Sequence, residues 1–190
     1  MHVVRTLLPT EFGLLREHLL RLDSEDRQRR FAGQLSDGAV AAHVEAIDRF
    51  RAIILVWIED GVVRGAAELL RFGAPAGTHA ELAVTVEKPW QDRGIGTELL
   101  RQALTIARNR GLEQVLMVCL AENGRMRHLA DKFHGKLIDL GGEIEANVRL
   151  LAPDAWSLWL EAIDQSQAAV GTMFEQLAPR TRSTARSRSA

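Results

Sequence analysis

The stretch that most constrains this chain is Val84-Thr85-Val86 followed, after Glu87-Lys88-Pro89-Trp90, by Gln91-Asp92-Arg93-Gly94-Ile95-Gly96-Thr97. A β-type apolar run leads into a glycine-rich turn. The turn opens a helical pattern whose apolar face holds Leu99, Leu100, Ala103, Leu104 and Ala107. Backbone N–H groups at the start of such a helix have no partner within it, and the helix dipole adds partial positive charge there. Strand, glycine turn and helix start together predict a cradle for a phosphate or pyrophosphate.

The rest of the chain supplies the frame. Residues 2–8 read as a strand ended by Pro9. Thr10 then stands at the N-cap of a helix with Phe12, Leu15, Leu19 and Leu22 at helical spacing. Ser24 and Ser36 are the predicted caps of two more helices, the second with Val40, Val44 and Ile47 on one face. Residues 51–58 and 62–72 read as a hairpin about Glu59-Asp60-Gly61, and Gly73-Ala74-Pro75-Ala76-Gly77 as a loop. A strand is expected over 78–86, the central helix over 94–110 with Gly111 as its stop, and a buried strand over 114–120. A helix follows from Asn123 to about residue 133, then two strands, 136–140 and 143–151, about Gly141-Gly142. Pro153 opens a last helix reaching Gln176. The order predicts an α/β (α+β) fold, a mixed and mostly antiparallel sheet with helices on both faces. Consecutive hairpin strands exclude a purely parallel doubly wound sheet. The expected organisation is one domain over 1–152, an amphipathic helix over 153–178 and an Arg/Ser tail, read as disordered, over 179–190.

Composition narrows the function. A net charge of -1 gives no reason to expect nucleic-acid binding. The single cysteine, Cys119, excludes an internal disulfide and fits a reducing compartment. No apolar run is long enough to span a bilayer, and the start of the chain lacks a signal-peptide layout, so the expectation is a cytoplasmic protein without membrane attachment. His128 and His134 do not share a helix face and no other histidine pairing has ligand spacing, so no metal is expected.

Three phosphate ligands compete for the glycine turn. A nucleotide phosphate loop needs a lysine after its last glycine, and none follows here. A dinucleotide fold needs a third glycine where Leu99 stands. The pyrophosphate arm of coenzyme A remains. The segment Gln91-Asp92-Arg93-Gly94-Ile95-Gly96-Thr97 resembles the Q-x-x-G-x-G-S/T/A signature of the GNAT acetyltransferase superfamily. Ala80-Glu81-Leu82-Ala83-Val84-Thr85-Val86 is similar to the strand before that signature. The run Leu120-Ala121-Glu122-Asn123-Gly124-Arg125-Met126-Arg127-His128-Leu129-Ala130 is similar to the asparagine-headed helix after it. Residues 21–36 resemble the catalytic domain of bacterial protein-lysine acetyltransferases, and the likeness covers roughly residues 3–151.

The resemblance implies a splayed central strand pair, acetyl-CoA as acyl donor, and transfer to a primary amine, of a protein lysine or a small molecule, by direct attack on the thioester. Backbone groups of Val84 and Val86 would pair with the pantetheine arm as another strand would. Gln91 and Asp92 begin the signature. The amides of Arg93, Gly94, Ile95, Gly96 and Thr97 would hold the pyrophosphate, with help from the Arg93 side chain and the Thr97 hydroxyl. Asn123 and Met126 would flank the arm from the next helix.

Glu81 is the expected general base. A carboxylate on a mostly apolar strand should have its pKa raised by burial, and it would act through water. The plainer alternative is a structural glutamate paired with Arg5, Arg64, Arg71 or His79. The resemblance also points to the Val84 N–H as donor to the oxyanion. It departs at the general acid: relatives carry a tyrosine where Ala130 stands, and the chain has no tyrosine. His128, His134 and Cys119 are the stand-ins to weigh, beside protonation by water. Asp23, Glu25, Asp26, Asp37, Glu45 and Asp48 form an acidic cluster that either draws a cationic acceptor or is an ordinary solvated face. The last helix carries Trp156, Leu160, Ile163, Val170, Phe174 and Leu177, a stripe expected to dock on its own sheet or to pair with a second copy. Two other functions stay open: a non-catalytic acyl-CoA sensor, and an acyltransferase for a different acyl group.

Overall fold

The computed structural model describes residues 2–73 and 77–177, with side chains of the last helix described as far as Ala169. The loop residues 74–76, the tail 179–190 and the side chains of Val170, Phe174 and Leu177 lie outside the described residues. The elements are β1 (His2–Thr6), a 3-10 turn, α1 (Phe12–Arg21), α2 (Ser24–Phe31), α3 (Asp37–Ala46), β2 (Ala52–Glu59), β3 (Val62–Arg71), β4 (His79–Val86), a second 3-10 turn, α4 (Ile95–Asn109), β5 (Gln114–Leu120), α5 (Gly124–Lys132), β6 (Lys136–Asp139), β7 (Glu143–Arg149) and α6 (Ala155–Leu177).

Local chemistry accounts for most boundaries. Asp60 and Gly61 both have positive φ, as a two-residue hairpin turn matching strand twist requires. Ser36 caps α3 as expected, but α2 is capped by Asp23, whose carboxylate accepts from the Asp26 N–H at 2.8 Å, and not by Ser24. Thr10 caps nothing: it sits inside a 3-10 turn that Pro9 begins, and α1 starts at Phe12. Asp154 and Ser157 exchange hydrogen bonds at the start of α6, a reciprocal cap.

The seven strands form one sheet in the order β1-β2-β3-β4-β5-β7-β6. All neighbours are antiparallel except β4 and β5, which run parallel. That parallel pair is joined only from His79–Gln114 to Glu81–Leu116, and beyond it the strands part. α4 and α5 cover one face through Leu99, Leu100, Ala103, Met126 and Ala130. α1 and α3 cover the other over the first strands through Leu15, Leu19, Val40 and Val44.

α6 packs on β1 and α4, with Leu160 and Ile163 of the expected stripe partly buried and Trp156 exposed. Its buried face is Ser157, Glu161 and Ala168. Ser157 and Glu161 bond to Asn109, Glu161 also pairs with Arg110, and Asp164 pairs with Arg101. Trp156 and Trp159 stay exposed and stack on each other at 5.0 Å. Polar partners on α4 thus add to the contacts that hold α6.

Candidate active site

The parting of β4 and β5 leaves backbone groups unmatched. Phe72 N–H donates to His79 O, and Glu87 N–H to Arg64 O, which fixes the alternation of the β3–β4 ladder. Odd-numbered residues of β4 bond to β3, so Val84 and Val86 turn N–H and C=O toward β5. On β5, Leu150 N–H donates to Glu113 O and Ala121 N–H to Gly142 O, so Val118 turns its backbone toward β4. Leu82 is the last residue of β4 within reach of the ladder. Val84, Val86 and Val118 face a wedge with no strand in it. A cleft of about 230 Å³ occupies this wedge, lined by Val84, Val86, Val118 and Cys119 and closed below by Gly94, Gly96 and Thr97.

The floor of the cleft is the start of α4. Gly94 is its N-cap at φ 81, and no side chain caps the helix. The Glu98 N–H reaches Gly94 O, while among the described residues the amides of Ile95, Gly96 and Thr97 have no acceptor. A Cβ at Gly96 would meet Leu129, Val86 and Val84 at 3.5, 3.8 and 3.9 Å, ordinary contact distances, so glycine is not demanded there by the protein's own packing. Ile95 enters only through its amide, because its side chain is buried in the core. The Arg93 side chain departs from expectation. It turns toward Glu59 at 3.4 Å, outside the cleft lining, since Glu59 at the end of β2 is the nearer anion.

Gln91 both lines the cleft and braces it. Its Nε2 donates to Val86 O at 2.9 Å and to Asp26 at 2.7 Å, and its Oε1 accepts from Arg125 at 2.6 Å. Arg125 also reaches Asp92, whose φ is 58. One amide thus ties β4, α2 and α5 around the cleft. Asn123 caps α5 by accepting from the Met126 N–H at 3.2 Å, which fixes its orientation on the cleft wall beside Met126.

Of the second wall, sequence reasoning singled out Asp26 but not Leu22, Arg29 or Arg30. Leu22, Asp26, Arg29 and Arg30 reach the cleft from α1 and α2. Arg30 is pinned by Glu68 of β3, with Nε and Nη2 at 3.1 and 2.9 Å from one carboxylate oxygen, and His43 Nε2 is 2.9 Å from the other. Burial of Glu68 would raise its pKa, but the charges of Arg30 and His43 outweigh it and the net shift is downward. Deeper, His18 bonds to Thr85 and Glu87, and Arg21 and Arg64 also hold Glu87. Burial opposes ionisation of Glu87, yet those three hydrogen-bond donors hold its pKa at about 2. Both networks join elements far apart in sequence, so no local pattern announced them.

The acidic cluster proves largely self-neutralised. Asp23 and Glu25 pair with Lys88, Glu25 with Arg29, Asp26 with Gln91 and Asp37 with Arg27. Asp26 alone of these acids lines the cleft.

Glu81 is the last β4 residue paired to β5, at the apex of the wedge. It is exposed, not buried as its apolar strand predicted. Nor does it take the structural partners weighed for it: Arg5 pairs with Glu11, Arg64 with Glu87, and Arg71 donates to Arg110 O. Of the stand-ins for the missing tyrosine, Cys119 and His128 line the cleft, and His134 sits exposed beyond the end of α5. Burial pushes the Cys119 thiol pKa up against the weaker pull of Arg127. Ala130, in the tyrosine's place, is buried. Among the described residues no cluster of metal-ligating side chains occurs, and no helix is long and apolar enough to cross a membrane.

A parted parallel strand pair over an uncapped helix start defines a class of transferases that hold a thioester carrier. The chain belongs to the acetyltransferase (GNAT) family, whose profile matches residues 15–135. It is 29% identical over 132 residues to the acetyltransferase PA5475 of Pseudomonas aeruginosa, covering 67% of this chain and 70% of that one. The GNAT domain of the Streptomyces (S. lividans) PAT superposes with a TM-score of 0.66 at 22% identity, over 77% of this chain and 89% of that one. A putative acetyltransferase, yncA of Salmonella typhimurium, solved with acetyl-CoA, superposes at 0.58 with 19% identity, over 82% and 99%. The family supports acetyl-CoA-dependent acetyl transfer in general.

Proposed function

We propose that the protein moves an acetyl group from acetyl-CoA to a primary amine. The observation that carries this reading is the wedge: backbone of Val84 and Val86 on one lip and Val118 on the other with no strand between them, ending at Glu81 and floored by the uncapped amides of α4. The pantetheine amides would pair with Val84 and Val86, and the pyrophosphate would rest on Ile95, Gly96 and Thr97. The amine nitrogen attacks the thioester carbon, and the Val84 N–H meets the developing oxyanion. The nitrogen loses a proton to water held by Glu81. The carbon–sulfur bond breaks, and the thiolate takes a proton from solvent or from the cleft wall, where His128 and Cys119 stand.

Thiol release from acetyl-CoA across a panel of amines tests the reading. Turnover that falls in Glu81→Gln while acetyl-CoA affinity holds supports it. Tight binding with no release for any amine would instead leave the sensor reading, which the buried Ala130 in place of a tyrosine favours.

A further inference from the structure

The last helix is polar inward and apolar outward. Between residues 155 and 169 only Glu161 and Asp164 are charged. Both turn onto α4, Glu161 to Asn109 and Arg110, and Asp164 to Arg101. The side turned to solvent carries Trp156, Leu158 and Trp159 at 61%, 52% and 53% exposure, with Ala162, Ser166 and Ala169 exposed after them. Among the described residues of this face none is charged. A helix that docks on its own domain and meets water elsewhere has the reverse arrangement. Trp156 and Trp159 stack on each other at 5.0 Å, so their rings are ordered before any partner arrives, which lowers the cost of burying them.

The chemistry of this face selects its occupant. A membrane-surface helix sets Lys or Arg beside its apolar side, and α6 has neither between residues 155 and 169. The tail over 179–190 brings four arginines, and this face offers them no carboxylate. A second copy brings the same neutral surface, so a two-fold axis sets no like charges together. Ala155, Trp159, Ala162, Ser166 and Ala169 are all exposed and follow the alternating four-and-three spacing of a helix-pairing seam. An antiparallel pair centred on Ala162 seats Trp159 of each copy in a hole formed by Ala162, Gln165, Ser166 and Ala169 of the other, three of them small. Trp156, Leu158 and Trp159 expose roughly 300–400 Å² per copy. With the small residues between them, two copies bury on the order of 1,000 Å², the lower end for a specific pair.

Independently of the acetyl-transfer reading, we propose that the outward face of α6 is a self-association surface, on which a second copy of this chain docks its own α6 antiparallel about Ala162. The modest area makes the pair reversible, with a Kd on the order of 1–100 µM.

Sedimentation velocity of the full chain from about 1 to about 200 µM tests this. The mass rises from one chain to two across that range. Ala162→Glu sets two carboxylates across the axis and raises the dimer Kd about 100-fold or more, and Ala162→Lys does the same with two ammonium groups. Equal mixing of those two variants restores the dimer, which misfolded chains could not do. Trp159→Ala weakens the pair about tenfold or more. Phe50→Glu, on the fully exposed turn before β2, leaves the mass unchanged. A wild-type chain that stays single at every concentration overturns the proposal. So does a dimer that survives Ala162→Glu, or a pair of variants that does not recover on mixing. A single chain whose tryptophan emission shifts to the blue only with vesicles of phosphatidylcholine and phosphatidylglycerol gives the face to a membrane instead. Acetyl transfer is read separately, by thiol release, and stands or falls apart from these results.

Discussion

The sheet is finished differently on its two sides. From β1 to β4 helices pack on both faces, and the buried groups His18, Glu68 and Glu87 each hold polar partners, while Trp57 Nε1 and the Nε atoms of Arg5 and Arg64 are buried without one. On one face of β5 and β7, among the described residues, Glu143 and Glu145 have no ion pair or hydrogen bond through their side chains, and the join to β4 is left open. The contrast teaches where work is done in this fold. Ion-pair networks hold the walls of the cleft at fixed spacing, while the open join between β4 and β5 offers backbone to a ligand.

The largest effect that tests this contrast is on stability. Glu68→Ala strands a buried arginine, and we expect a loss of about 3–5 kcal/mol in denaturant unfolding. The same change at Glu145 should cost under about 0.5 kcal/mol, because nothing folded depends on it. Similar losses at both positions would erase the distinction between the two halves.

Next in size, Glu87→Gln should cost about 3 kcal/mol at neutral pH. The sign follows from a folded pKa held at about 2, below the value in the unfolded chain. The carboxylate's contribution is present above the ordinary carboxylate range and is lost as pH falls through it toward about 2. The gap between wild type and variant should therefore close on acidification, which thermal melts from neutral to acid pH would show.

At the wedge apex, Glu81→Gln should lower kcat about 100-fold with acetyl-CoA affinity within about twofold, the reach of one general base. Its stability should not move, since it is exposed and unpaired. Smaller again, Gly96→Ala should fold normally, because the added Cβ finds only ordinary contacts, yet weaken acetyl-CoA binding about tenfold by standing where a phosphate approaches. Calorimetric titration reads that change, and an unaltered affinity would move the pyrophosphate elsewhere.

Periodicity made much of this legible. The buried strand Gln114–Leu120, the Asp60-Gly61 hairpin and the α4 face of Leu99, Leu100 and Ala103 follow from local pattern, because each is decided by residues within a few positions. The glycine turn and the strand before it also placed Val84, Val86, Gly94 and Gly96 at one cleft. What pattern could not show is pairing over distance. Arg30 meets Glu68, His18 meets Thr85, and Asp26 meets Gln91 only after the chain folds. For the same reason the acids of α2 read as a charged surface and are instead paired. Glu81 read as buried from its apolar strand and is exposed. α6 read as an apolar stripe, yet Asn109 and Arg110 draw its polar face inward.

The claim on which the rest depends is that the open wedge receives the thioester carrier's arm and phosphates. Amide hydrogen exchange with and without acetyl-CoA tests it at single residues. The account predicts new protection at Val84, Val86, Ile95, Gly96 and Thr97, with β1 to β3 unchanged. Exchange at those amides that stays the same at saturating acetyl-CoA would contradict it.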